Sequence, residues 1–399
     1  MDLQAKLAVL ADAAKYDASC ASSGARRERP AGGVGHASGS GICHSYTPDG
    51  RCVSLLKVLL TNRCVYDCAY CVNRVSSDVP RAAFTVDEVV RLTMGFYRRN
   101  VIEGLFLSSG IVGSPDHTMG LLVEVGRKLR EDERYGGYLH LKAVPGASPE
   151  LLAAAARHAD RLSANVELPT QRDLDALAPA KTMAAVEATM TTLHDVEREA
   201  KAPARRARPP KAMPAGQSTQ MVVGATPSSD AEVLGTARRL YETHGLRRVY
   251  YTAYSPTQQP HPGLPVRPIP LVREHRLYQA DWLLRFYGFG LGELLPAGGD
   301  LPLDVDPKTA WALAHRGDFP VDLDRAPREV LLRVPGLGVR TVERLLRLRR
   351  RRGVRLEDLR HLRVPLGRAL PWLALAGDRT AARALDAAAP PVQLGLFDR

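Results

Sequence analysis

Three cysteines occupy eight consecutive positions of this 399-residue chain, in the segment RCVYDCAYC, with the spacing Cys-x3-Cys-x2-Cys. They are Cys64, Cys68 and Cys71. Thiolates spaced this closely can wrap one loop around a metal centre, but a closed zinc site would take a fourth ligand nearby, and no further cysteine pair follows. A 4Fe-4S cluster with three cysteine ligands keeps one iron open to a small molecule. The spacing therefore favours an iron-sulfur centre.

The cysteines follow the first of six predicted strands, which alternate with helical segments such as TVDEVVRLTMGFYRR and SPELLAAAARHA. The strands are predicted over 53–60, 104–110, 138–144, 161–168, 218–225 and 247–256. This alternation predicts a parallel α/β barrel or an open doubly wound sheet. In a barrel the carboxyl ends of the strands face the active site, so we expect the cysteines at its mouth.

The stretch Cys64-Val-Tyr-Asp-Cys68-Ala-Tyr70-Cys71 resembles the signature of the radical S-adenosylmethionine (SAM) superfamily. The resemblance covers roughly residues 53–256 and implies an α/β fold with a partial parallel (β/α)6 barrel. It also implies a 4Fe-4S cluster on the three cysteines, SAM on the open iron, and a 5′-deoxyadenosyl radical after one-electron reduction. Such reduction calls for an electron donor such as flavodoxin or ferredoxin. A structural zinc or a chance cluster is the alternative.

The same resemblance implies further contacts to SAM. Many members carry Gly-Gly-Glu at the end of the second strand, where this chain has Ser-Ser-Gly, which lacks the acid but permits close backbone approach. At the end of the fourth strand, SANVE has three alternating polar residues that would share one strand face. The predicted SAM-binding residues are Tyr70, Ser108, Ser109, Gly110, Ser163, Asn165 and Glu167. The alternative is that these polar groups satisfy one another inside the barrel.

The other three cysteines precede the first barrel strand in a loop-rich segment. Cys20, Cys43 and Cys52 could hold a second, auxiliary iron-sulfur cluster, with His44 as a fourth ligand. Isolated buried thiols are the alternative, since free cysteine behaves as a small apolar residue.

The C-terminal region APREVLLRVPGLGVRTVERLLRLRR predicts two helices joined by a Val-Pro-Gly-Leu-Gly turn, and LEDLRHLRVPLGRALPWL repeats the plan more loosely. This closely resembles the helix-hairpin-helix motif, whose turn amides grip the nucleic-acid backbone. The predicted DNA-binding residues are Gly336, Gly338, Arg340, Thr341 and Arg344. Hairpins of this kind favour duplex DNA and also occur on RNA-associated proteins.

The distribution of arginine supports a nucleic-acid partner. The chain has a formal charge of +12, and residues 325–368 contain fourteen arginines, no lysine and four acids. A compositionally biased genome would spread arginine along the chain, so this clustering favours phosphate contacts. A helical packing hairpin with a solvated charged face is the alternative.

The chain ends in a Pro/Ala-rich stretch followed by Gln393-Leu394-Gly395-Leu396-Phe397. This resembles the peptide with which bacterial polymerases and repair proteins dock on the sliding clamp, through Gln393, Leu394, Leu396 and Phe397. A disordered tether would raise local concentration rather than intrinsic affinity. The alternative is an apolar tail that packs on its own domain.

The predicted domains, in chain order, are a Cys-containing segment over 1–52, the barrel over 53–256, a Pro-rich and helical connector over 257–319, an all-α helix-hairpin-helix domain over 320–376 and the tail over 377–399. Sparse cysteines, the lack of a signal peptide and the lack of a long apolar run predict a cytoplasmic protein without a membrane partner. The whole chain resembles a bacterial group of radical proteins assigned to DNA modification or repair. An RNA-modifying enzyme and a non-catalytic iron-sulfur DNA-binding protein or redox sensor are the alternatives.

Overall fold

The computed structural model describes residues 1–14, 42–46, 52–202, 212–257, 261–295 and 299–375, without the side chains of residues 44–46 and 52. Cys20 and the clamp-like peptide of residues 393–397 lie outside the described residues. The chain divides into two compact units, one formed by residues 1–228 and 239–269 and the other by residues 229–238 and 270–399. The predicted domain boundaries stay predictions.

The first unit is built on a seven-stranded sheet that curls into a half-barrel, with the strands in sequence order. The strands are β1 (Ile42–Tyr46), β2 (Cys52–Leu59), β3 (Gly104–Ser108), β4 (Tyr138–Lys142), β5 (Arg161–Ser163), β6 (Gln217–Val223) and β7 (Arg248–Ala253). Strands β2 to β7 are parallel, as predicted for a partial barrel. Strand β1 pairs antiparallel with β2, whereas the sequence predicted a loop there.

The helices of this unit are α1 (Leu3–Ala14), α2 (Val86–Arg98), α3 (Pro115–Arg127), α4 (Pro149–His158), α5 (Gln171–Leu177), α6 (Met183–Lys201) and α7 (Asp230–His244), the first part of which belongs to the second unit. Helix α2 begins with a full capping box between Thr85 and Glu88. Helices α5 and α6 are separate, because Pro179 cannot continue a helix and restricts the residue before it.

The two faces of the sheet differ in chemistry. At alternate positions the strands carry leucines that are fully buried, such as Leu56, Leu105 and Leu139. The intervening positions of the same strands include the buried cation Lys57 and the buried imidazole of His140. One face therefore forms the apolar core, and the other carries polar groups toward the carboxyl ends of the strands.

The second unit consists of short helices and one small strand pair. They are α8 (Leu271–Phe286), α9 (Leu291–Leu294), α10 (Pro307–Ala314), α11 (Arg328–Arg333), α12 (Val339–Arg349), α13 (Leu356–His361), α14 (Leu366–Ala369), β8 (Val321–Asp322) and β9 (Leu373–Ala374). Both predicted helix pairs are present, and the parallel β8–β9 pair means that this region is not wholly α-helical as predicted. No helix among the described residues is long and apolar enough to cross a membrane.

Candidate functional site

The three clustered cysteines lie on the loop that leaves the carboxyl end of β2. Cys64 Sγ accepts hydrogen bonds from the backbone N–H groups of Tyr66 and Ile111, each at 3.4 Å. Cys71 Sγ accepts one from the N–H of Asn73 at 3.3 Å. Hydrogen bonds donated to sulfur favour the thiolate form and tune a bound iron-sulfur cluster.

The environment of the thiols also has an electrostatic component. Burial raises the pKa of Cys71 to about 12 and also raises the pKa of Cys68, while the ammonium of Lys181 acts to lower both pKa values. Protons must therefore leave these thiols when a metal centre binds, which couples binding to proton release.

The side chain of Arg81 fixes the course of the cysteine loop through hydrogen bonds to its backbone. Its Nη1 donates to the carbonyl oxygens of Asn62 (2.6 Å) and Asn73 (2.9 Å). Its Nη2 donates to those of Arg74 (2.6 Å) and Ser77 (2.8 Å). One planar guanidinium thus joins four main-chain carbonyls on both sides of the three cysteines.

Two polar side chains fasten the same loop. The amide of Asn62 accepts a hydrogen bond from the N–H of Ala82 at 2.8 Å and donates to the carbonyl of Pro80 at 2.7 Å. Asp67 accepts from the Ser76 hydroxyl at 2.6 Å, which lowers the pKa of Asp67. The hydrogen bonds of Asn62 and Asp67 offset part of the conformational entropy that the loop loses when it becomes ordered.

The Ser-Ser-Gly run after β3 lies directly against the cysteine loop. The N–H of Gly110 donates to the carbonyl of Thr61 at 2.8 Å, and a Cβ on Gly110 would lie 2.2 Å from the carbonyl oxygen of Arg63. The next residue, Ile111, accepts from the N–H of Val65 at 2.9 Å. Only glycine fits this approach, which brings the Ile111 N–H to Cys64 Sγ.

The other two residues of that run have more local contacts. Ser108 is buried at the end of β3, and its carbonyl accepts from the N–H of Leu60 at 2.8 Å. The hydroxyl of Ser109 donates to the carbonyl of Gly110 at 2.7 Å. Their predicted role toward SAM stays a prediction.

The residues of SANVE are all buried, but strand β5 ends at Ser163, so the strand alternation used to predict a common face does not extend to Glu167. Glu167 has a φ of 64°, in the left-handed region, and bridges to Met221 on β6. A bulky residue rarely adopts this conformation, and such strain concentrates at functional sites. Ser163 contacts His140 Nε2 at 3.0 Å.

Glu167 is the centre of a charged cluster. Its Oε1 lies 3.4 Å from Lys181 Nζ and 3.6 Å from Lys142 Nζ. Lys181 Nζ also donates to the hydroxyl of Tyr70 at 3.4 Å. Burial is the largest influence on the pKa of Lys181 and acts to lower it, but Glu167, Cys68 and Cys71 together outweigh burial, and the net shift is upward. Lys181 is therefore a fixed cation between the cysteine loop and the end of β5.

Sequence reasoning missed several polar residues on the polar face of the sheet, among them Lys57 and His140. Lys57 on β2 lies 5.9 Å above the ring of Phe106, whose centroid is 4.3 Å from that of His140. Asn165, which was predicted, donates to Gln220 at 3.3 Å. The sequence signal for them was an ionisable residue inside an apolar run, namely Lys57 in VSLLKVLL and His140 in YLHLK.

The donor set fits a cluster better than a single ion. Among the described residues, no group of three or more His, Cys, Asp or Glu side chains is placed to hold one metal ion, as zinc would require. In a 4Fe-4S cluster each thiolate binds a separate iron, so the three cysteines need not converge on one point. Three thiols on one loop, two of which accept peptide N–H groups, suit that requirement.

Of the three auxiliary cysteines, Cys43 is the one whose side chain the structure describes. It is buried on β1 beside Val53, Leu55 and Tyr138. The side chains of Cys52 and His44 lie outside the described residues. The second cluster stays a prediction.

The turn between α11 and α12 has the geometry of a tight hairpin. Gly336 has a φ of 83°, and a Cβ there would lie 3.0 Å from the Cβ of Ala369. Lys308 Nζ donates to the carbonyl of Leu337 at 2.6 Å. Gly338 is the N-cap of α12, and the next N–H, of Val339, donates to the Tyr287 hydroxyl. One amide of the predicted phosphate cradle is therefore already engaged.

The arginines of this unit fall into two groups. Arg340, Arg344 and Arg347 are exposed, follow one face of α12 at spacings of four and three residues, and form no ion pair among the described residues. Thr341 beside them is partly buried. Others hold the unit together, such as Arg333 on Glu293 at 2.8 Å. Only some of the arginines that give this unit its positive charge are therefore exposed and outside ion pairs.

Comparisons with known proteins give a limited result. No protein-family model matches this chain. No curated protein matches it. It is similar to the crystal structure of HydG, a maturase of the FeFe-hydrogenase, with 15% identity and a TM-score of 0.42 over 57% of this chain and 48% of that one.

Two further solved structures are similar to this chain. The FeFe-hydrogenase maturase HydG from Carboxydothermus hydrogenoformans matches with 11% identity and a TM-score of 0.45 over 57% of this chain and 50% of that one. SuiB from Streptococcus suis matches with 12% identity and a TM-score of 0.40 over 56% and 45%. The chain spans about half the length of these structures, so the functional argument rests on its own residues.

Proposed function

We propose that this protein is a radical SAM iron-sulfur enzyme that modifies or repairs DNA. The observation that carries the proposal is the cysteine loop, in which three thiols follow the first parallel strand and peptide N–H groups are donated to Cys64 Sγ and Cys71 Sγ. Cys64, Cys68 and Cys71 would hold a 4Fe-4S cluster. When bound, that cluster would hold SAM at its open iron and supply the electron that cleaves it to a 5′-deoxyadenosyl radical.

The surrounding residues orient the bound groups and exclude water. Gly110 permits the backbone of the next strand loop to approach Cys64. Lys181, Glu167 and Lys142 place fixed charges beside the loop, where an amino-acid moiety with its own ammonium and carboxylate can pair with them. These groups are ordered by burial and by one another, so they cost little reorganisation when a ligand arrives.

DNA as the substrate is supported by the arginines of the second unit. Arg340, Arg344 and Arg347 present three exposed guanidinium groups along one face of α12, none of which forms an ion pair among the described residues. Such a row suits the phosphates of a nucleic-acid backbone, which it would bind without reading sequence. The tail residues Gln393 to Phe397 would add a sliding clamp as partner, and flavodoxin or ferredoxin would donate the electron.

The enzymatic proposal is tested by anaerobic reconstitution of the full chain with iron and sulfide, followed by incubation with SAM and dithionite. We expect 5′-deoxyadenosine to form, and a variant with Cys64, Cys68 and Cys71 all changed to alanine to form none. A reconstituted cluster that never cleaves SAM would favour the redox-sensor alternative.

The substrate is tested separately. Mass spectrometry of nucleosides from duplex DNA, from single-stranded DNA and from RNA, each treated with enzyme and SAM, should reveal a new or lost nucleoside in DNA only. A change confined to RNA would overturn the DNA proposal and leave the radical chemistry intact. Clamp binding is tested by surface plasmon resonance, where Leu394→Ala and Phe397→Ala should each abolish the signal.

A further inference from the structure

Helix α8 of the second unit exposes two large aromatic rings to solvent. Its buried residues are Arg276, Leu277, Ala280, Asp281 and Leu283. Its exposed side includes Trp282, with 47% of its surface accessible, and Phe286, with 42%. A surface helix normally directs charge to solvent and rings to the core, so this helix exposes rings for another reason.

The rings belong to one stripe, in which His275, Trp282 and Phe286 are exposed and Tyr278 is partly buried. His275, Tyr278, Trp282 and Phe286 follow each other at spacings of three, four and four residues, which places them on one face of a helix. From His275 to Phe286 the stripe extends about 16 Å at the usual rise per residue. The centroids of the Trp282 and Phe286 rings are 4.4 Å apart, with an interplanar angle of 52°. We define these four residues as the aromatic stripe.

A cation accompanies the stripe. The guanidinium of Arg285 lies 4.8 Å from the centroid of Phe286, and it is held from the other side by Asp281 at 3.5 Å. The same unit contains a row of exposed arginines on α12, formed by Arg340, Arg344 and Arg347. Exposed rings interleaved with arginine, in a strongly basic unit, match the chemistry of unpaired nucleic-acid bases, whose faces stack on rings while their phosphates attract cations.

We propose that the aromatic stripe is a stacking platform for unpaired bases of a nucleic acid. The inference rests on the proposed nucleic-acid substrate and narrows its class to strands with bases outside a duplex. Bases within a duplex have both faces stacked on their neighbours, so they cannot use the stripe. A protein partner or a second copy of this chain is the competing occupant, because aromatic residues and arginine are also enriched at protein interfaces, and the light-scattering measurement below separates the two cases.

The chain offers a direct probe of this site. It contains three tryptophans, and Trp311 and Trp372 are both buried, so Trp282 is the exposed one. Titration of the full chain with a labelled oligothymidylate of 12 nucleotides should quench the tryptophan emission as bases stack. The same titration with a blunt duplex of equal length should bind without that quenching.

Variants make the test quantitative. We expect Trp282→Ala and Phe286→Ala each to weaken oligothymidylate binding, measured by fluorescence polarisation, by about 5- to 100-fold. Duplex binding should change by less than about two-fold, because it depends on phosphate contacts. Trp282→Phe should keep most of the affinity. The matched control is Leu271→Ala, which removes an exposed aliphatic side chain from the same helix and should have no effect.

The outcomes separate this inference from the proposed function. Equal binding by wild type and Trp282→Ala, with both folded by circular dichroism, would overturn the platform. So would a wild-type dimer in light scattering that Trp282→Ala converts to a monomer, since the stripe would then be a protein interface. Failure to form 5′-deoxyadenosine would count against the enzyme alone, because oligonucleotide binding is measured without SAM or reductant.

Discussion

Gly110 lies so close to Arg63 that a methyl group on its Cα would come within 2.2 Å of the Arg63 carbonyl oxygen. The contact joins the loop after β3 to the residue immediately before the first clustered cysteine. Because the opposing atom belongs to the backbone, it cannot rotate away as a side chain would. Glycine at this position is therefore a condition for the geometry of the cysteine loop.

Replacement of Gly110 by alanine should displace the cysteine loop. We expect a loss of about 1–3 kcal/mol in the free energy of unfolding and less than half of the wild-type iron content after reconstitution. The measurements are urea unfolding and iron analysis. Gly120→Ala in α3 is the matched control, since its Cβ meets open space and alanine favours helices. Equal iron content in both variants would show that the close approach is dispensable.

Removal of the Arg81 guanidinium should loosen the loop without touching a cysteine. Arg81→Ala leaves four buried or half-buried carbonyls without their donor, and we expect a destabilisation of about 2–4 kcal/mol together with faster loss of iron to a chelator. Arg81→Lys should rescue little, because an ammonium cannot span the same fork.

A suitable control for Arg81 is Arg98→Ala, which removes an exposed arginine whose partner is Glu133 on the surface. Exposed ion pairs of this kind contribute little to stability. If both variants lose iron at the wild-type rate, the loop does not depend on Arg81.

The sequence predicted all six parallel strands, although β5 ends at Ser163 where the prediction extended it to residue 168. It did not predict β1, since Ile42–Tyr46 has no alternating pattern and becomes a strand only by pairing with β2. The left-handed backbone at Glu167 was also beyond sequence reasoning, because glutamate has no preference for it. The cysteine loop was predicted by spacing, but its support by Arg81 depends on a fold that spacing does not encode.

Lys308 should make the stability of the second unit depend on pH. Burial lowers its pKa to about 7, from about 10.5, while Asp306 acts to raise it and Arg368 and Arg333 act to lower it. Its ammonium also lies 4.7 Å from the ring of Tyr287. Between these two pKa values the unfolded chain binds a proton that the folded chain lacks, so the free energy of unfolding rises with pH. Below pH 7 both states are protonated and the penalty is constant.

We therefore expect the wild type to gain up to about 2 kcal/mol relative to Lys308→Met between pH 7 and pH 9, measured by urea unfolding. Lys308→Arg, which stays charged throughout, should be destabilised at every pH in this range. A constant difference between wild type and Lys308→Met would mean that Lys308 keeps its charge.

The arginine row on α12 should appear in the salt dependence of DNA binding. Each phosphate contact contributes about 0.9 to the slope of log affinity against log salt, so Arg340→Ala, Arg344→Ala and Arg347→Ala should each reduce it by up to that amount. Arg325→Ala, an exposed arginine outside α12, is the control and should leave the slope unchanged. A slope that all four variants share with the wild type would exclude this face.

The turn before α12 can be tested with the same assay. Gly336→Ala forces a left-handed backbone on alanine against Ala369, and we expect a loss of about 1–2 kcal/mol in stability and weaker DNA binding. Gly367→Ala, in α14 directly after the corresponding turn of the second helix pair, meets open space and should be tolerated. Equal effects of the two would indicate that both turns are structural only.

The contacts of Arg81 described above end mainly on carbonyl oxygens, which every amino acid carries. The guanidinium therefore fixes where the chain runs without specifying which side chains it bears. The hydrogen bonds from Arg81 to the carbonyls of Asn73 and Arg74 do not require those two side chains. The side chains of the cysteine loop can therefore be substituted while its backbone keeps the same course. A loop of this kind can change its side chains in evolution without a change in its backbone course.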